Sequence, residues 1–343
     1  MHAMILDHLA PIQAGSLPLR YAEVAMPSIT EREVLLQVQA CGVCHTELDE
    51  IEGRTPPPRL PVILGHQVVG RVAAVGANVG QWRQGDRVGA AWIIGACGEC
   101  QFCLSDRENL CPQFRATGRD RDGGYAEYMA APAAFLFRIP DGFTDVQAAP
   151  LLCAGAIGYR SLRLTNLQNG QALGLTGFGA SARLVLTLAK SRFPSTRVFV
   201  FARSEREREA ALKLGAAWAG DSAQHAPVQL DAIVDTTPAW TPVIGALENL
   251  APGGRLVINA IRKEHADQSV LASLDYERHV WLEKEIKSVA NVTRRDVSEF
   301  LELAAALHLE PQVEEYPLAA ANAALIDLKT RSVTAAKVLR IGN

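Results

Sequence analysis

Over its first 150 residues the chain sets apolar positions in short β-branched runs. Val34-Leu-Leu-Gln-Val-Gln-Ala and Val68-Val-Gly-Arg-Val-Ala-Ala-Val are bounded by polar residues or glycine, as strands are. Gly85-Asp86 marks a turn before Arg87-Val-Gly-Ala-Ala-Trp, and Pro56-Pro-Pro and Arg119-Asp-Arg-Asp-Gly-Gly read as loops. From about residue 155 strands alternate with helices, which predicts a parallel sheet covered by helices. Ala172-Leu-Gly-Leu-Thr is a predicted strand, 177–182 a turn, Arg183 to Lys190 a helix and Val198-Phe-Val-Phe a second strand. Ser204 to Leu214 reads as a helix stopped by Gly215, and 231–236 and 255–259 as later strands. The alternation weakens near Ile286. The tail from Asp296 predicts one helix and a terminal strand, 336–341. The expected organisation is a β-rich domain over 1–154, a doubly wound α/β domain over 155–290, and a return segment over 291–343.

Composition narrows the class without choosing a function. The chain has 343 residues, too many for one comfortable core, and is 48% hydrophobic, 21% charged and 6% aromatic. A net charge of −3, from 34 basic and 37 acidic residues, gives no footprint for nucleic acid or an anionic membrane. No apolar run is long enough for a membrane span, and the first residues lack the pattern of a signal peptide, so a cytoplasmic protein is expected.

The cysteines carry more. In a reducing compartment, clustered thiols are more often metal ligands than disulfides. Cys97, Cys100, Cys103 and Cys111 form tandem C-x-x-C spacing that lets short turns wrap thiolates around one ion. Four thiolates close a tetrahedral shell and leave no place for substrate, which marks a structural site. Spacing alone leaves an iron–sulfur cluster as the rival to zinc.

Gly177-x-Gly179-x-x-Ala182 matches a dinucleotide-binding turn in the strand–turn–helix context that gives it meaning. Gly177 permits the tight turn, Gly179 lets backbone approach the pyrophosphate, and Ala182 keeps the helix close to the sheet. Cys44, in Cys-Gly-Val-Cys-His-Thr-Glu, His66, in Leu-Gly-His-Gln, and Cys153, in Leu-Leu-Cys-Ala-Gly, form a second candidate constellation. Two thiolates and an imidazole would leave one coordination position open, the catalytic type of zinc site, but spacing does not say that they converge.

Taken together and in this order, these motifs resemble the zinc-dependent medium-chain alcohol dehydrogenases over essentially the whole chain. The resemblance implies a GroES-like β-rich catalytic domain plus a Rossmann cofactor domain, and zinc at both cysteine sites: catalytic at Cys44, His66 and Cys153, structural at Cys97, Cys100, Cys103 and Cys111. It implies hydride transfer between a small alcohol, aldehyde or ketone and a nicotinamide cofactor, with zinc lowering the pKa of the alcohol. Thr46 falls where the family has the hydroxyl that meets substrate oxygen and starts proton exit. Glu47 falls at the carboxylate that would fix the tautomer of His66, and His45 at a basic position near the cofactor pyrophosphate. Trp92, Ile93 and Ile94 match positions that wall the substrate slot. A homo-oligomer, tetramer or dimer, is the family expectation.

The chain departs from that pattern in three places. Asp49 stands where many members have a relay histidine; its ordinary pKa of about 4 is poorly matched to a relay near neutral pH. Gln67 replaces the commoner glutamate, a poorer alternative zinc ligand. At the end of the second Rossmann strand Ala202 occupies the position where an NAD enzyme carries an acid, and Arg203 and Ser204 follow. Without that repulsion, and with a guanidinium at hand, NADP(H) is the expected cofactor and NAD(H) the alternative. Two other classes on the scaffold, a non-enzymatic binding protein and a zinc-free quinone or enoyl reductase, have no use for Thr46 beside an open three-ligand set. Cys41 reads as a small buried hydrophobe.

Overall fold

A computed structural model describes residues 1–331 and 335–342. The N-terminal part runs β1 (His2–Leu6), β2 (Arg20–Glu23), β3 (Glu33–Val43), α1 (His45–Ile51), β4 (Val62–Ile63), β5 (Val68–Val75), β6 (Arg87–Ala90), β7 (Ile93–Gly95), β8 (Arg115–Ala116), β9 (Tyr128–Pro132), β10 (Leu136–Arg138) and α2 (Asp145–Ala148). Next come α3 (Ala154–Leu164), β11 (Ala172–Thr176), α4 (Ala180–Arg192), β12 (Arg197–Phe201), α5 (Glu205–Lys213), β13 (Trp218–Gly220), β14 (Leu230–Asp235), α6 (Thr241–Asn249), β15 (Leu250–Ile258) and β16 (Glu285–Ser288). The tail holds α7 (Arg294–Ala306), β17 (Val313–Pro317), α8 (Ala321–Thr330) and β18 (Ala336–Arg340).

These elements form two compact units, one of 1–156 with 291–343, the other of 157–290. In the first, β3 is the organiser. Val34, Leu36, Val38 and Ala40 are essentially unexposed at every second position, so one face of the strand is core. Its length lets it pair with β5 along one edge and with both β9 and β18 along the other, in a sheet ordered β10-β6-β5-β3-β18-β17. A three-stranded sheet (β2-β1-β4) and the β7–β8 pair complete the unit.

The second unit is a six-stranded, wholly parallel sheet in the order β13-β12-β11-β14-β15-β16, the doubly wound Rossmann order. All five residues of β11 are buried, as a central strand covered on both faces requires. Phe199, Phe201, Ile233, Leu247 and Leu256 build the core where α6 packs on the sheet.

The sequence reading departs from the structure at element ends and edges. Helix α4 begins at Ala180, inside what reads as turn, because Gly179 is already its N-cap. The tail has two helices where periodicity predicts one; α8 is rich in alanine and its apolar stripe is faint. Strand β16 lies where the alternation fades: all four of its residues are exposed on the sheet edge, so no buried face imposes a pattern. Among the described residues no helix is long and apolar enough to cross a membrane.

Candidate active site

Cys44 ends β3's excursion and is the N-cap of α1. Its thiol accepts the Thr46 N–H at 3.4 Å, and its own N–H donates to Glu47 Oε2 at 2.9 Å, a reciprocal capping arrangement in which sulfur replaces the usual hydroxyl. His66 follows Gly65, whose φ of +99° and position against the Tyr125 ring admit no side chain: a Cβ there would stand 2.4 Å from Tyr125 and 2.8 Å from Cys41 Sγ. Cys153 sits between a tight turn over 149–152 and the start of α3. These three elements bring Cys44 Sγ, a ring nitrogen of His66 and Cys153 Sγ within 4.8 Å of one another.

Glu47 lies behind them. It is fully buried, and Oε1 stands 2.6 Å from His66 Nδ1, leaving Nε2 as the ring atom free to face a ligand. Burial opposes a charge on His66, but Glu47 overrides it and holds the imidazole pKa well above the ordinary value. A hydrogen bond from Cys153, aided by His66, holds the Cys44 thiol well below its usual range, and the same bond with burial pushes Cys153 up. A site that already favours one thiolate beside an imidazolium, with His66 buried and both cysteines half-buried, is suited to exchange those protons for a divalent ion.

The remaining expected residues fall as follows. Thr46 Oγ1 is 3.4 Å from Cys44 Sγ, at the edge of the ligand set. His45 is exposed at the first position of α1. Asp49 is buried, and its Oδ1 accepts from Arg54 Nε at 2.5 Å. The Trp92 ring meets His66 edge-on at 6.5 Å and Phe114 at 5.5 Å, so it borders the pocket, whereas Ile93 and Ile94 are wholly enclosed. Cys41 is fully buried.

A second thiol group lies in the loop between β7 and β8. The sulfurs of Cys97, Cys100, Cys103 and Cys111 also lie within 4.8 Å of one another, and all seven cysteines are free thiols. Backbone N–H groups of Cys97, Gly98, Cys100 and Gln113 point at these sulfurs at 3.3–3.4 Å, donors that stabilise thiolates. The Glu99 and Cys100 amides draw Cys97 down to about 6, while desolvation and neighbouring thiols push Cys103 up to about 12. Buried Glu108 fastens the lobe to the start of α7, accepting the Arg294 N–H at 2.9 Å and its Nε at 3.1 Å.

In the parallel sheet, Gly177 has φ +78° and a Cβ there would meet Thr236 Oγ1 at 2.9 Å; Gly179 faces open space at the N-terminus of α4, and Ala182 is fully buried. The turn is thus tight, buries the Phe178 side chain, is bare at Gly177 and Gly179, and is aimed along a thirteen-residue helix, which suits a pyrophosphate. Ala202 is buried after β12, Arg203 is exposed, and Ser204 caps α5 by accepting the Glu207 N–H at 3.1 Å. Sequence reasoning missed several neighbours. Asp235, fully buried at the end of β14, accepts from the hydroxyls of Thr176 and Thr237 and pairs with Lys263; an acid closing an apolar strand was the available signal. Arg208 donates to the carbonyls of Ala202 and Arg203, and no motif marks it. Glu50, one helical turn beyond Glu47, is buried with no hydrogen-bond partner at either oxygen; burial, then repulsion from Glu47, pushes its pKa well above the ordinary value.

A thiolate-rich β domain in one chain with a doubly wound nucleotide-binding sheet defines a metal- and nicotinamide-dependent oxidoreductase. Residues 30–141 match the alcohol dehydrogenase GroES-like domain. The chain is 44% identical to a probable alcohol dehydrogenase, AdhA, of Mycobacterium tuberculosis, over 99% of this chain and 97% of that one. It is 33% identical to an alcohol dehydrogenase of Geobacillus stearothermophilus, over 94% and 96% of the two chains. A cinnamyl alcohol dehydrogenase of Sorghum bicolor superposes with a TM-score of 0.85 at 25% identity, covering 99% of this chain and 97% of that one. The protein belongs to the zinc-type medium-chain alcohol dehydrogenase family, and it is an alcohol/aldehyde oxidoreductase using zinc and a nicotinamide cofactor.

Proposed function

We propose that Cys44, His66 and Cys153 hold the catalytic zinc and the four-cysteine lobe a structural one, two ions per chain. The observation that carries this reading is the convergence of two thiols and one imidazole beside the Thr46 hydroxyl, a set that leaves a tetrahedral ion one open position. Zinc there supplies Lewis acidity at the substrate oxygen, and the nicotinamide accepts or gives the hydride.

This chain's own groups do the rest. Thr46 Oγ1 takes the proton that leaves an alcohol while passing its own hydroxyl proton outward, and the transfer runs in reverse in carbonyl reduction. Glu47 keeps His66 oriented through Nδ1 and, through Cys44 N–H, fixes the second ligand as well. Asp49 is the outer proton acceptor, anchored by Arg54. Trp92 walls an apolar slot that favours primary alcohols and aldehydes, with Ile93 and Ile94 packed behind it. In the cofactor domain Gly177, Gly179 and Ala182 cradle the pyrophosphate; for exposed His45 a role at the cofactor rests on the family resemblance. Ala202, Arg203 and Ser204 border the adenosine ribose. The absence of an acid at 202 and the exposed guanidinium at 203 support NADP(H) over NAD(H).

Seven free thiols support a cytoplasmic location. The unpaired edge of β16, beside exposed Tyr276, Trp281 and Leu282, supports a homo-oligomer: antiparallel pairing centred on Ile286 sets Glu285 against Lys287 of a second copy. The catalytic assignment is tested with Cys153→Ser, which is expected to abolish turnover while leaving a folded chain with about one zinc. Full activity in that variant overturns it.

A further inference from the structure

The carboxyl end of the cofactor-domain sheet holds an ion pair that the glycine turn does not account for. Strands β12 and β13 run parallel, with Phe201 paired to Gly220, and the Ala202 N–H donates to the Gly220 carbonyl at 2.9 Å. The turn after β12, 202–204, therefore lies directly beside the turn after β13, which opens with Asp221. In a doubly wound sheet the adenosine ribose is held at the end of the second strand, and neighbouring strands are only about 4.8 Å apart. An acid at 221 thus stands one strand over from the position where an NAD enzyme carries its ribose-binding acid. Left to itself, it would repel a 2′-phosphate.

Arg208 answers that charge. Reaching back from the second turn of α5, its Nη1 donates to the Ala202 and Arg203 carbonyls, both at 2.8 Å, and lies 3.7 Å from Asp221 Oδ2. The two carbonyl bonds fix the guanidinium across the 202–204 turn, so its charge is held there rather than swept through solvent. Arg203 is left exposed on the outer side of the same turn. Glu205 and Glu207 lie in the first turn of α5.

We propose that Arg208 is a cofactor-selectivity residue: by pairing with Asp221 across the 202–204 turn, it makes this end of the sheet accept a nucleotide bearing a 2′-phosphate. The inference rests on the NADP(H) reading above and adds the residue pair that enforces it. The pair acts through charge at the ribose, so substitutions in it change affinity for the 2′-phosphate and leave the rest of the nucleotide bound as before.

The test is calorimetric binding of adenosine 2′,5′-bisphosphate and of adenosine 5′-monophosphate to the zinc-loaded full-length protein. Arg208→Leu is expected to weaken the bisphosphate about tenfold and the monophosphate less than about threefold. Adding Asp221→Asn to Arg208→Leu is expected to recover most of that loss, because the unopposed carboxylate is gone. Asp221→Asn alone, which keeps an oxygen to accept the Ala223 N–H, is expected to tighten the bisphosphate about threefold by freeing the guanidinium. If the double variant binds the bisphosphate as weakly as Arg208→Leu, Arg208 is only a brace for the turn and the proposal falls. It falls equally if Asp221→Asn leaves the bisphosphate affinity unchanged, a result that does not depend on Arg208→Leu folding. Wild-type protein that binds both probes equally overturns instead the NADP(H) reading on which the pair's role rests.

Discussion

Glu47 touches two expected zinc ligands at once: Oε1 stands 2.6 Å from His66 Nδ1, and Oε2 accepts the Cys44 N–H at 2.9 Å. One carboxylate thus sets both the ring orientation and the helix cap from which a thiol projects. Glu47→Gln keeps the shape but removes the charge behind the imidazole. Zinc affinity should fall about 10- to 100-fold, read as faster loss of the catalytic ion to a chelator. Metal loss at the wild-type rate would show that Glu47 only packs.

Cys100→Ser addresses the other thiol group. Over 97–111 only Glu108, Asn109 and Cys111 are buried and Leu104 is 76% exposed, so the proposed metal is expected to supply much of the order of the lobe. The variant should lose about one zinc and melt at a lower temperature, with residual turnover in the fraction that stays folded. A protein that keeps two ions and its melting temperature contradicts the structural role.

Asp49 is buried and ion-paired with Arg54. If it is the outer acceptor, Asp49→Ala should slow alcohol oxidation most at low pH, where removing the proton is hardest, with little change at high pH. An unaltered pH–rate profile assigns proton exit to another route.

Glu52 makes stability depend on acid. Its carboxylate accepts the Ile12 N–H at 2.9 Å and pairs with Arg54 and Lys329, tying an N-terminal segment to α8. Burial alone would raise its pKa; the Lys329, Ile12 and Arg54 contacts outweigh it and lower the value from 4.5 to about 2. The native state favours the ionised form, so this contribution is present above the unfolded value and is lost as pH falls from there towards about 2. Glu52→Gln should cost on the order of 2–3 kcal/mol at neutral pH. The gap between the urea midpoints of variant and wild type should narrow by about half as pH falls from 6 to 3, and a constant gap across that range would contradict the linkage.

Much of the site was legible because certain chemistry demands particular residues at fixed local spacing. The four cysteines of the lobe and the turn from Gly177 to Ala182 are short-range motifs, and the structure gathers each within one loop or turn. Cys44, His66 and Cys153 are different. They come from the end of β3, the link between β4 and β5, and the start of α3, so only the family resemblance could suggest their meeting. Arg208 and Asp221 left no trace, since a charged residue on an exposed helix is indistinguishable in sequence from ordinary surface. Strand β16 escaped for a related reason: an exposed edge has no apolar period to read.

The return of the chain to its first sheet also governs the timing of assembly. Strand β18 inserts between β3 and β17, with Lys337 opposite Val43, the residue immediately before Cys44. Synthesis therefore delivers the whole of 157–290, a self-contained parallel sheet, before the strand that completes the sheet whose β3 leads into Cys44. During translation 157–290 can fold while the first unit still lacks a central strand. With zinc held at Cys44 as proposed, lesions in residues 336–340 are expected to release that ion despite their distance in sequence from every cysteine, because they remove the neighbour of the strand that leads into Cys44.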